Sequence, residues 1–114
     1  MGAERLDGAV LELDPDGDFG PYRYEHGREL WLFVLAGTPT VQHAEGERAL
    51  SPGDLACLPE GPAGGRSLLN QSSEAAHVLL LWTTGFPAVV CYPETGEWVL
   101  RPAPGADELH LRKR

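Results

Sequence analysis

No stretch of this chain reaches the ~20 consecutive apolar residues that a membrane-spanning helix needs, and no long amphipathic helical pattern is present. Positive charge is scarce: 9 Lys and Arg stand against 17 Asp and Glu, a formal net charge of −8. Such a field repels a phosphate backbone or an anionic lipid surface, which argues against nucleic acid and membrane as partners. Cysteine is limited to Cys57 and Cys91, both inside apolar runs; they are expected to be buried free thiols. The opening residues MGAERLDGAV lack a basic segment followed by a long apolar one, and Leu6 stands where a myristoylation signal at Gly2 would need Ser or Thr. The expected location is therefore cytoplasmic. Internal repeats, a phosphate-binding loop and local nucleophile motifs are also missing; PEGPAGG (59–65) has the glycines of a phosphate loop but no following Lys-Ser or Lys-Thr.

What the chain does have is short apolar runs between strong turn formers. With 114 residues it is expected to form one domain over 1–114, and 42% hydrophobic residues suffice for one core. The runs fall at 9–13, 30–35, 40–43, 55–58, 67–69, 76–83, 88–92 and 98–101, separated by segments such as DPDGDFGP, SPGD, NQSSE and PETGE. Gly, Pro, Asp, Asn and Ser each favour turns for their own backbone reasons, so the pattern predicts an all-β sandwich or barrel. The core is expected over about 9–101, with a loosely ordered tail over 102–114 that ends in Arg112, Lys113 and Arg114. LWLFVL (30–35) and AHVLLLW (76–82) are apolar on both strand faces. One face of each would line a barrel and the other would meet a second sheet or subunit, so a homodimer is expected.

Two spaced patterns are more specific. Gly17 is followed by positions 23, 25 and 30 and then Gly37; further on come Gly53, Pro59, Gly61 and Asn70. These spacings resemble the two signature motifs of the cupin superfamily, and AVVCYPETGEWVL (88–100) is similar to a hairpin that ends many small bacterial cupins. The resemblance covers roughly 11–100 and implies a cupin-type double-stranded β-helix, a jelly-roll barrel. It also implies a metal on three His and one Glu, yet the ligand positions here carry Arg23, Glu25, Leu30 and Arg66. Counting forward from Gly61 would put Gly64 at the last position, which is no better. Arginine carries only donors and stays protonated, leucine has no lone pair, and one carboxylate does not hold a transition metal. No cofactor is expected at the usual position.

Three functions remain in view. If the cupin geometry holds, Arg23, Glu25, Leu30 and Arg66 share one barrel mouth, where an Arg–Glu–Arg network either neutralises itself or binds a small anionic or polar ligand through guanidinium forks. Tyr22, Tyr24, Trp31, Phe33 and Trp82 could wall such a pocket, although strand alternation turns Tyr22 and Tyr24 away from Arg23. The second reading is a dioxygenase- or isomerase-type metalloenzyme with relocated ligands from Glu25, His26, Glu29 and His43. The third is a structural or interaction module. His43 and His77 read as surface or core histidines, and His110 falls in the tail. Glu25 between arginines is expected to be a poor general base, and no inward His–Asp pair is evident, so catalysis has no positive support.

Overall fold

The computed structural model describes residues 5–112; the readings at Gly2, Lys113 and Arg114 lie outside them. The described residues form β1 (Leu6–Leu13), β2 (Asp18–His26), β3 (Leu30–Ala36), β4 (Thr40–His43), β5 (Gly46–Ala49), β6 (Leu55–Leu58), β7 (Arg66–Leu69), β8 (Ala76–Thr83), β9 (Ala88–Tyr92), β10 (Glu97–Arg101) and β11 (Leu109–Arg112). The helical content among them is one 3-10 turn, Pro62–Gly64. The strands build two antiparallel sheets, ordered β1-β8-β3-β6 and β11-β10-β9-β2-β7-β4-β5.

Side-chain alternation on the strands decides what faces what. On β3, Leu32 and Val34 are buried while Trp31, Phe33 and Leu35 are exposed. The buried set joins Leu13, Val41, Leu68, Val78 and Leu80 in a core between the sheets. Each fully buried Leu or Val contributes about 1.5–3 kcal/mol relative to an exposed one, so this inner layer is what closes the jelly roll.

One motif residue and one glycine inside the motif's spacer act on the scaffold. Asn70 is 1% exposed; its Nδ2 donates to the carbonyls of Leu13, Asp14 and Glu74, and its Oδ1 accepts from the backbone N–H and hydroxyl of Ser72. It thereby fastens the end of β1 to the turn between β7 and β8. Gly64 is required by close approach: a Cβ there would lie 1.7 Å from the Pro59 carbonyl oxygen.

All eight expected strands are present, and three further strands differ from expectation. β2 carries Gly20 and Pro21 in its middle, which masks its periodicity. β5 (GERA) is exposed at every residue and stands at the sheet edge beside β4, so no apolar pattern announces it. The tail is not uniformly loose: β11 pairs with β10, Leu100 opposite Leu109 and Glu97 opposite Arg112. Cys91 is buried as expected, but Cys57 is exposed. It lies opposite Trp31 in the β3–β6 pair, on the outer face of the four-stranded sheet.

Candidate functional site

The site begins with a distortion in β2. Phe19 pairs with Leu68 and Arg23 with Arg66, so four residues of β2 advance while β7 advances two. The surplus bulges out at Gly20, whose φ of 72° suits glycine, and at Pro21, which has no N–H to offer the ladder. Side chains take up the freed carbonyls. Arg23 Nη1 donates to the oxygens of Phe19 at 3.4 Å and Pro21 at 3.2 Å, and Ser67 Oγ donates to that of Gly20 at 3.2 Å.

The bulge sets two arginines directly opposite one another across β2 and β7, an arrangement that like charge disfavours. One is balanced by a carboxylate: Arg66 Nη2 donates to Glu25 Oε1 at 2.7 Å, with both side chains largely buried. Arg23 has the Phe19 ring 5.3 Å from its guanidinium carbon. Burial holds its pKa below the ordinary arginine value, as does the neighbouring Arg66 charge, against smaller opposing effects of Tyr92 and Glu25.

Between the sheets lies a cavity of about 360 Å³ that Arg23, Glu25, Leu30 and Arg66 all line. The four positions read from the sequence therefore meet at one place. Trp82 is also in its wall. Trp31 and Phe33 are not; they face outward. Tyr22 and Tyr24 point away, as alternation requires. The Tyr22 ring covers Gly65, and Tyr24 lies opposite Cys91 and hydrogen-bonds its sulfur.

Sequence reasoning missed Arg28, Arg101, Tyr92 and Phe19, which also line the cavity. Arg101 is balanced by Glu108, with Nε to Oε1 at 3.0 Å. Arg28, in the turn between β2 and β3, stacks on Phe86 at 5.4 Å. Its Nε is buried without a hydrogen-bond partner among the described residues, and so is the Nε of Arg66. No motif marks position 28. Only an excess of arginine converging from β2, β7 and β10 could have signalled it, and sequence separation hides that convergence.

The comparisons with known proteins concern the fold. No protein-family model matches the chain, and no curated protein is similar to it in sequence. Solved structures are similar in shape. A sugar phosphate isomerase from a cupin superfamily, of Silicibacter pomeroyi, superposes with a TM-score of 0.88 at 22% identity, over 98% of this chain and 70% of that one. A cupin domain of Bordetella pertussis gives 0.56 at 18% identity, over 75% and 88% of the two chains. The fold is that of the cupins. A polyketide cyclase of Streptomyces resistomycificus shares it at a TM-score of 0.65 and 20% identity, over 76% of this chain and 61% of that one.

The residues at the cupin metal position do not fit a metal. Two guanidinium groups and a leucine supply no lone pair there, and Glu25 is committed to Arg66. Among the described residues no group of three or more His, Cys, Asp or Glu side chains could hold an ion. The alternative ligands do not converge either. Glu25 lines the arginine cavity, whereas His43 lines a separate one beside Leu50 and Cys57, although its backbone pairs with that of Arg66. Glu29 Oε1 accepts from the outward Trp31 indole at 3.2 Å. His26 is exposed at the end of β2, edge-on to Tyr24 at 5.7 Å.

Proposed function

We propose that this cupin-fold protein binds a small anionic ligand in its barrel cavity, with Arg23, Arg28 and Arg66 facing the anion, Glu25 orienting Arg66, and Leu30 completing the wall. The observation that carries the reading is the pair of buried, unpartnered Nε groups on Arg28 and Arg66. A buried donor left unsatisfied costs about 1–3 kcal/mol, and a ligand oxygen removes that cost. The surplus of cations is the more telling because the whole chain carries −8. Similarity in fold to a sugar phosphate isomerase is compatible with a phosphorylated ligand. Catalysis is not part of the proposal, since Glu25 is held by Arg66 and no histidine lines the cavity.

The test is calorimetric titration and thermal unfolding with inorganic phosphate at constant ionic strength. The wild-type protein is expected to bind and to gain stability, and Arg28→Gln to lose both responses. Equal responses in the two proteins would sink the assignment.

A homodimer is proposed alongside, on a separate observation. The outer face of the four-stranded sheet carries Val10, Trp31, Phe33, Leu55 and Leu81, all exposed; the antiparallel registers set Leu79 between Val10 and Phe33, and Trp31 between Leu81 and Cys57. A contiguous apolar patch of this kind suits an isologous contact with a second copy. Sedimentation velocity is expected to give a dimer for the wild-type chain and a folded monomer for Phe33→Asp.

A further inference from the structure

The two walls of the arginine cavity are chemically unlike, and their difference bears on what fits between them. The four-stranded sheet contributes only hydrocarbon and an indole: Leu11 from β1, Leu30 and Leu32 from β3, Leu58 from β6, Leu80 and Trp82 from β8. Every charged group comes from the other sheet or from the β2–β3 turn: Arg23 and Glu25 on β2, Arg66 on β7, Arg101 on β10, and Arg28.

The charges do not all remain available. Arg66 is paired with Glu25 and Arg101 with Glu108. No ion pair with a carboxylate occurs at Arg23 or Arg28 among the described residues, and each of these guanidinium groups rests on a phenylalanine ring, Phe19 or Phe86. Two unopposed cations fixed in orientation match a group bearing two negative charges.

Neutral hydrogen-bonding side chains are nearly missing from the lining. Ser67 and Tyr92 are the two hydroxyl side chains there, and the Ser67 hydroxyl is already given to the Gly20 carbonyl. Asn, Gln, Asp, His, Lys and Thr do not line the cavity. A sugar ring held there would have to draw its hydroxyl partners from side chains already engaged, Arg66 with Glu25, Arg101 with Glu108 and Arg23 with the Phe19 and Pro21 carbonyls, and each hydroxyl left over costs free energy. An apolar ring or a short hydrocarbon chain meets no such penalty. A cavity of about 360 Å³ has room for only one compact body.

We propose that the ligand is an amphipathic dianion, a phosphate monoester carried on a compact aromatic or aliphatic body, with the phosphate facing Arg23, Arg28 and the unpartnered Nε of Arg66 and the body against Leu30, Leu32, Leu80 and Trp82. This rests on the anion-binding reading above and deepens it by excluding polyhydroxylated bodies.

Calorimetric titration with three probes at one ionic strength tests it: inorganic phosphate, phenyl phosphate and ribose 5-phosphate. Phenyl phosphate is expected to bind at least about tenfold more tightly than either of the others, because only its body removes apolar area from water. Leu30→Gln is expected to abolish that preference, so that phenyl phosphate binds no more tightly than inorganic phosphate. Circular dichroism of the variant checks that it is folded, and Leu58→Gln serves as a second wall variant if it is not. Ribose 5-phosphate equal to or tighter than phenyl phosphate would overturn the amphipathic assignment and leave the anion site standing. Failure of all three probes to bind would overturn both.

Discussion

The two sheets share one cavity but carry different kinds of information. The four-stranded sheet is apolar toward the cavity, with Leu30, Leu32 and Leu80, and apolar again toward solvent, with Trp31, Phe33 and Leu81. The larger sheet holds the cavity's strand-borne charge and needs a bulge, two ion pairs and several carbonyl contacts to keep it there. One wall requires only volume and hydrophobicity. The other requires specific partners. Substitutions should therefore act on stability through the first wall and separate stability from binding in the second.

The largest effect is expected at Leu32→Ala, which opens a cavity at a site 2% exposed and should cost about 2–5 kcal/mol in urea unfolding. Arg66→Met comes next: it strands Glu25 in a largely buried position and should cost about 3 kcal/mol. Adding Glu25→Gln to that variant should restore most of the loss, and a double variant no more stable than the single one would mean that the pair is not what Arg66 contributes. Arg28→Gln sharpens the comparison, because it should change stability by less than about 0.5 kcal/mol while removing the response to phosphate. A loss as large as that at Arg66 would make Arg28 a structural residue and blur the distinction between charges that hold the wall and charges that face the ligand.

The smallest effect is kinetic. Cys57 is exposed and Cys91 buried, so a maleimide should label one thiol quickly and the other only on unfolding. Burial raises the pKa of both thiols; Glu29 adds to the rise at Cys57, and the Tyr24 hydrogen bond partly offsets it at Cys91. A raised pKa leaves less thiolate at neutral pH, so the Cys57 rate should climb as pH rises through the alkaline range. If the outer face pairs with a second copy, that rate should also fall as protein concentration increases. A rate independent of concentration would leave the face uncovered.

The same contrast explains what could be read in the sequence. β3 and β8 were legible because long apolar runs between turn formers leave few alternatives, and the motif spacing held because Gly37 packs against backbone, Gly53 and Gly61 have positive φ, and Asn70 serves buried carbonyls. The meeting of Arg23, Glu25, Leu30 and Arg66 was legible only through that spacing. Arg28 was not, since its place depends on a turn folding back onto the Phe86 loop, a tertiary contact with no local signature. β5 and β11 were hidden for the opposite reason: exposed on both faces, they have pairing without a hydrophobic period. Cys57 shows a related limit. An apolar run shows that a strand is there, but not that both of its faces are covered.

The β2 bulge also limits what substitution alone can install. Writing histidines into positions 23 and 66 would supply imidazoles where cupins usually keep them, yet it would withdraw the donors that occupy the Phe19 and Pro21 carbonyls and release Glu25 from its partner. The backbone there is already shaped around an arginine. Installing a metal centre would therefore require the strand to be rebuilt from Gly20 onward, because histidines at the two positions alone would have neither a ligand-shaped backbone nor the support that the arginines now give.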